Sequence, residues 1–158
     1  MGNGTFGAAT PLSAGSSPIF VTTADWNGDG KLDLGVVNNG ITTGTYVASI
    51  LLGDGAGSFG TATNIDIGNA TVPRGAVVGD FNLDGKPDLA VAGYGNNTIP
   101  VLLGKGDGTF ESVVSLNGPA NPQSIDTADV NGDGWPDIVA TTSLTTSQNV
   151  SVMLGSCK

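Results

Sequence analysis

The chain contains no histidine. That absence removes the commonest general base, the usual proton carrier of a nucleophilic triad and the most frequent transition-metal ligand. It has a single cysteine, Cys157, so no internal disulfide can form, and this thiol is either free or an intermolecular link. Lysine and arginine together number five and are scattered, which excludes nucleic-acid binding through phosphate contacts. No apolar run approaches the roughly 20 residues that a spanning helix needs, so no membrane insertion is expected. No secretion signal is legible at the start. Aromatic residues make up only 6% of the chain, and no segment sustains a 3.6-residue apolar period.

What the chain has in excess is glycine and aspartate. Glycine accounts for 26 of 158 residues, which suits tight turns between short strands. The net charge is −9, and nine of the fourteen acids fall into three copies of one motif, Asp-x-Asn-x-Asp-Gly-x-x-Asp. The copies run Asp25 to Asp33, Asp80 to Asp88 and Asp129 to Asp137. Three carboxylates and an amide oxygen within nine residues repel one another by several kcal/mol at the effective dielectric of a protein surface, on the order of 4 kcal/mol for a pair at 4 Å. A hard cation taking many oxygen ligands removes that cost, and calcium is the usual one. A plain Asn-Gly or Asp-Gly turn would not need the acids at the first and ninth positions.

The spacing reads as a ligand shell. Positions 1, 3 and 5 offer side-chain oxygens: Asp25, Asn27 and Asp29, then Asp80, Asn82 and Asp84, then Asp129, Asn131 and Asp133. Position 6 is glycine throughout (Gly30, Gly85, Gly134), as a sharp turn requires. Position 7 varies between Lys31, Lys86 and Trp135, as expected where only a carbonyl binds, and position 9 closes the shell with Asp33, Asp88 or Asp137. Position 12 holds Val36, Val91 and Ala140 where an EF-hand needs an acid, so these are not EF-hands. The expectation is three Ca²⁺ per chain and no catalytic residue. The remaining acids, Asp54, Asp66, Asp107, Glu111 and Asp126, form no acid pair at a catalytic spacing.

The loops anchor a longer repeat. A proline precedes each (Pro18, Pro73, Pro122), an apolar strand follows each, and a second strand ends in Leu-Gly at Gly53, Gly104 and Gly155. A glycine turn and a phenylalanine come next at Phe59 and Phe110, and the same element opens the chain at Phe6. Each unit of about fifty residues therefore predicts four short antiparallel strands. Such a series means an all-β chain, a β-propeller of four-stranded blades with three blades per chain. It reads as a single domain, with repeats at about 13–66, 67–117 and 118–158 and an N-terminal strand at 2–12 that completes a blade. Pro100, mid-strand, predicts an exposed position or a bulge.

These loops, together with the Leu-Leu-Gly-x-Gly-x-Gly-x-Phe element, resemble FG-GAP/VCBS repeats, the repeats of integrin α-chain and lectin-like propellers. The Phe6-Gly7 and Phe59-Gly60 pairs match the family's FG element, whereas Phe110 is followed by Glu111. The resemblance implies calcium seated mainly for structure and an extracellular or cell-surface setting. It implies a non-catalytic recognition module whose ligand is a glycan or a protein surface. Two alternatives stay open: a non-catalytic part of a larger secreted enzyme such as a polysaccharide lyase, and a structural or engineered assembly unit. Trp26, Trp135, Tyr46 and Tyr94 are candidates for stacking on sugars, although Phe81 and Val130 at the Trp26 position read as a core slot. Four Asn-x-Ser/Thr sequons (Asn3, Asn69, Asn96, Asn149) carry little weight in a chain rich in Asn and Thr.

Family propellers usually have six or seven blades, and three cannot close alone. The third repeat lacks a fourth strand and the first twelve residues are a fourth strand without a blade. The expected partner is therefore a second copy, in a homodimer formed by strand exchange that closes a six-bladed ring.

Overall fold

The computed structural model describes residues 3–40, 46–68, 72–143 and 149–156; Cys157 and the sequon at Asn69 lie outside them. Among the described residues all regular structure is β. The first sheet contains β1 (Pro18–Ala24), β2 (Asp33–Asn38), β3 (Val47–Leu51) and β4 (Thr63–Asp66). The second contains β5 (Pro73–Gly79), β6 (Asp88–Gly93), β7 (Thr98–Leu102) and β8 (Val114–Asn117). The third contains β9 (Pro122–Ala128), β10 (Asp137–Thr142) and β11 (Val150–Met153). Strands are hydrogen-bonded in sequence order and antiparallel throughout, giving three propeller-like blades of four, four and three strands.

Period-two alternation decides which face meets which neighbour. In β6, Leu89 and Val91 join Val37 and Ala48 of the first sheet in one core, and Ala90 and Ala92 join Ile125, Ile138 and Ala140 of the third in another. The middle sheet is thus buried on both faces, which is why its second and third strands are apolar almost without break. First strands stand side by side, β1 against β5 and β5 against β9. Among the described residues no core joins the first sheet to the third, so the blades form an open arc, not a three-blade ring.

Each first strand opens at its proline with a register shift, and the residue before that proline is left-handed: Ser17 (φ 55°), Val72 (φ 49°) and Asn121 (φ 48°). Pro100 corrects a sequence expectation. It is buried, not exposed, and causes no bulge. Between Ala90↔Val101 and Gly93↔Thr98 the β6–β7 pairing lapses but its register continues, and Pro100 still pairs with Ser115 on the other side. A missing N–H interrupts a ladder without shifting it.

Candidate metal centre

The three motifs occupy the turns β1–β2, β5–β6 and β9–β10, and they share one hydrogen-bond pattern. In the first, the N–H of Asp29 donates to both Asp25 Oδ1 (3.1 Å) and Asn27 Oδ1 (3.0 Å), and Gly30 N–H donates to Asp25 Oδ2 (2.8 Å). In the second, Asp84 N–H is shared by Asp80 and Asn82, both at 3.0 Å, and Gly85 N–H donates to Asp80 Oδ2. In the third, Asp133 N–H is shared by Asp129 (3.1 Å) and Asn131 (3.0 Å), and Gly134 N–H donates to Asp129 Oδ2. One nitrogen within hydrogen-bond reach of two side-chain oxygens shows that positions 1 and 3 converge. The turn needs the left-handed glycine at position 6, with φ of 81°, 82° and 87° at Gly30, Gly85 and Gly134.

Position 5 faces position 7. Lys31, Lys86 and Trp135 donate their N–H groups to Asp29, Asp84 and Asp133. Lys31 and Lys86 also pair through Nζ with Asp29 (3.2 Å) and Asp84 (3.7 Å), in exposed contacts worth little. The Lys31 N–H bond, with the side chain behind it, holds the Asp29 carboxyl below its ordinary range. The Gly134 N–H does the same for Asp129.

Position 9 has a role that the spacing does not reveal. Asp33, Asp88 and Asp137 are buried. One oxygen of each accepts from the N–H at position 2 of its own loop: Trp26 (2.9 Å), Phe81 (2.8 Å) or Val130 (2.9 Å). The other accepts from the glycine after the third strand: Gly53 (2.8 Å), Gly104 (2.7 Å) or Gly155 (2.7 Å). Each acid therefore ties its loop to the end of the third strand of its own sheet. Those glycines admit no side chain, because a Cβ there would lie 2.1–2.4 Å from the carbonyl at position 8 (Leu32, Pro87 or Pro136). Burial pushes the Asp88 carboxyl up, with Asp84 and Asp80 adding to the rise, against the two N–H bonds that lower it.

The aromatic candidates sort differently. Trp26 is a core residue, buried with its ring over Gly35 and tilted against Phe110 at 6.5 Å between centroids, so it offers no sugar platform. Phe81, at the same position of the second loop, lies over Gly79 just before that loop. Tyr46 packs on the first core, Tyr94 is covered by the Arg74 guanidinium at 5.1 Å, and Trp135 is half-buried.

Among the described residues no three acidic side chains stand gathered as a ready metal cluster, since the acids are turned onto backbone N–H groups. The donor set nevertheless fits a hard cation. It consists wholly of oxygens, two of them already converge in each loop, and the buried acid of the second loop has like charges beside it. The acids outside the loops are engaged locally: Asp54 by Ala56 and Ser58, Asp66 by Gly68, Asp107 by Thr109, Asp126 by Thr127 and Glu111 by Lys105.

Among known families, the FG-GAP-like repeat matches residues 39–91 and 80–140. The first match runs from just after β2 past the second acidic loop, and the second from that loop past the third. Comparison with curated proteins returns no match.

Proposed function

Because the chain belongs to the FG-GAP-like repeat family, we propose that it is a non-catalytic, calcium-stabilised propeller module for recognition outside the cell, of a glycan or of a protein surface. The observation that carries this reading is the threefold recurrence of one loop geometry, with position-1 and position-3 oxygens converging on a single N–H. Asp25, Asn27, Asp29 and Asp33 would hold one ion with the Lys31 carbonyl. The Asp80–Asp88 loop would do so with Lys86, and the Asp129–Asp137 loop with Trp135. The ion supplies positive charge and a fixed shell of oxygens. This chain's own residues supply the turn and the clamp to the third strand.

The non-catalytic reading is supported by the family, whose repeats are generally not catalytic, and by the acids outside the loops, each of which already serves a local turn, strand or ion pair. The extracellular reading is supported by the family and by the concentration of calcium that such loops need, for extracellular modules on the order of 10⁻⁴–10⁻³ M. No described helix is long and apolar enough to cross a membrane.

Terbium tests the sites directly. Trp26 and Trp135 belong to the first and third loops, so exciting tryptophan should sensitise terbium emission that calcium displaces and equimolar magnesium does not. No sensitised emission would contradict the reading. A glycan array and a panel of cell-surface proteins test the recognition half, and silence on both would remove it.

A further inference from the structure

The second and third blades differ in one place that an aromatic side chain would equalise. After each complete third strand the chain turns and returns, and Phe59 and Phe110 bridge back to Gly53 and Gly104. Phe110 then packs on the core that contains Leu89 and Leu102, beside Trp26. One blade further on, Phe81 replaces Trp26, Ile138 replaces Leu89 and Met153 replaces Leu102. There the matching space is a cavity of about 300 Å³, lined by Phe81, Leu103, Ile138, Met153 and Gly155 among others. The glycine that receives the phenylalanine elsewhere is already in place, because Asp137 holds Gly155 as Asp88 holds Gly104.

A matching plug lies at the other end of the arc. Asn3-Gly4-Thr5-Phe6 repeats Asp107-Gly108-Thr109-Phe110 in sequence and in shape. Gly4 has φ 76° and Gly108 φ 83°. Asn3 Oδ1 accepts from Thr5 N (3.1 Å) and Thr5 Oγ1 (2.7 Å), as Asp107 Oδ1 accepts from the N–H and hydroxyl of Thr109. The turn is preformed, yet Phe6 is 98% exposed and residues 3–13 pair with no strand.

The flanking faces are complementary in the same sense. Val150 and Val152 on the third blade are 66% and 51% exposed, whereas Ile99 and Val101, their counterparts on the second, are 0% and 5% exposed. On the first blade Val21 is 59% exposed where Ala76 and Ile125 are buried. Each chain thus presents both halves of the interface that its own blades use twice internally.

We propose that the cavity between Phe81, Ile138, Met153 and Gly155 receives Phe6 of a second copy of this chain. Residues 10–13 of that copy would add the fourth strand to β11, as β8 does to β7. In the arrangement found at Gly108, whose N–H donates to Trp26 O at 2.8 Å, Gly4 of the second copy would donate to Phe81 O. The exchange is reciprocal, so two chains satisfy both ends and growth stops. Six blades lie within the usual four to eight, whereas nine from three chains do not.

Sedimentation of the full chain in calcium-containing buffer tests this. The unaltered chain should be a dimer. Phe6→Ala should weaken the dimer by at least about 100-fold, the equivalent of an aromatic lost from a core. Because Phe6 is exposed in the single chain, the variant's far-ultraviolet circular dichroism should stay that of folded blades, which separates lost assembly from lost folding. Met153→Trp, which fills the cavity from within, should have the same effect with the N-terminal segment intact. A monodisperse monomer at tens of micromolar, or a Phe6→Ala dimer as tight as the parent, would overturn the proposal. Parent and variants are compared in the same calcium-containing buffer, and terbium reads the loops separately.

Discussion

Two residues are held in backbone conformations that their side chains oppose. Leu83 takes φ 59° at the loop position where Gly28 and Gly132 take 72° and 77°, and Val72 takes 49° before Pro73. A left-handed residue with a side chain costs about 1–2 kcal/mol, and a β-branched one is the worst case. Leu83→Gly and Val72→Asn should therefore each raise the urea midpoint, by up to about 1 kcal/mol in unfolding free energy; an unchanged or lower midpoint would show that the surroundings have already absorbed the strain. A second prediction concerns acid. The hydroxyl and N–H of Thr109 hold Asp107 below its ordinary value of 3.8. A depressed carboxylate stabilises the fold above the unfolded value, and the contribution is lost as pH falls through the folded one. Asp107→Asn should flatten the fall in stability below about pH 4, measured in chelator so that metal binding does not intervene. An identical acid limb in parent and variant would remove Asp107 from the account.

At the scale of elements, the decisive contact is the clamp from loop to third strand. Asp88 accepts from Phe81 and Gly104 in a buried site, so Asp88→Ala strands two buried donors at about 1–3 kcal/mol each. Gly104→Ala places a Cβ 2.1 Å from the Pro87 carbonyl and should cost at least as much as ordinary overpacking, about 1–3 kcal/mol. Both are read by denaturant unfolding, and a loss below 1 kcal/mol for either would mean that the blade does not rely on the clamp. The motif was legible in the sequence because its spacing is local and its chemistry lies in side chains. The clamp was not, because Asp33 and Gly53 stand twenty residues apart and the partner is a backbone N–H, which leaves no mark on residue type. The strand order of each repeat was legible from its proline, its acidic loop and its Leu-Gly end. The burial of Pro100 was not, since the expectation priced its missing N–H as exposure or a bulge and the ladder simply skips it. Trp26 was readable as core from Phe81 and Val130 at its position, and Gly35 beneath it completes that reading.

The whole molecule is an open arc with a charge of −9, most of it in three turns. Without cations those turns bring carboxylates together at an electrostatic cost, and the two inter-blade cores must offset it. A domain's net stability is only about 5–15 kcal/mol. Saturation at a hundredfold excess of ligand over Kd contributes about 2.7 kcal/mol per independent site, so three sites together rival that total. Calcium would then decide whether the arc persists. Calorimetric titration of calcium into the chelator-stripped chain, followed by melting at each calcium concentration, tests this most directly. The account predicts three ions per chain and a melting temperature that climbs with calcium; no heat of binding and superimposable melting curves in calcium and in chelator would contradict it.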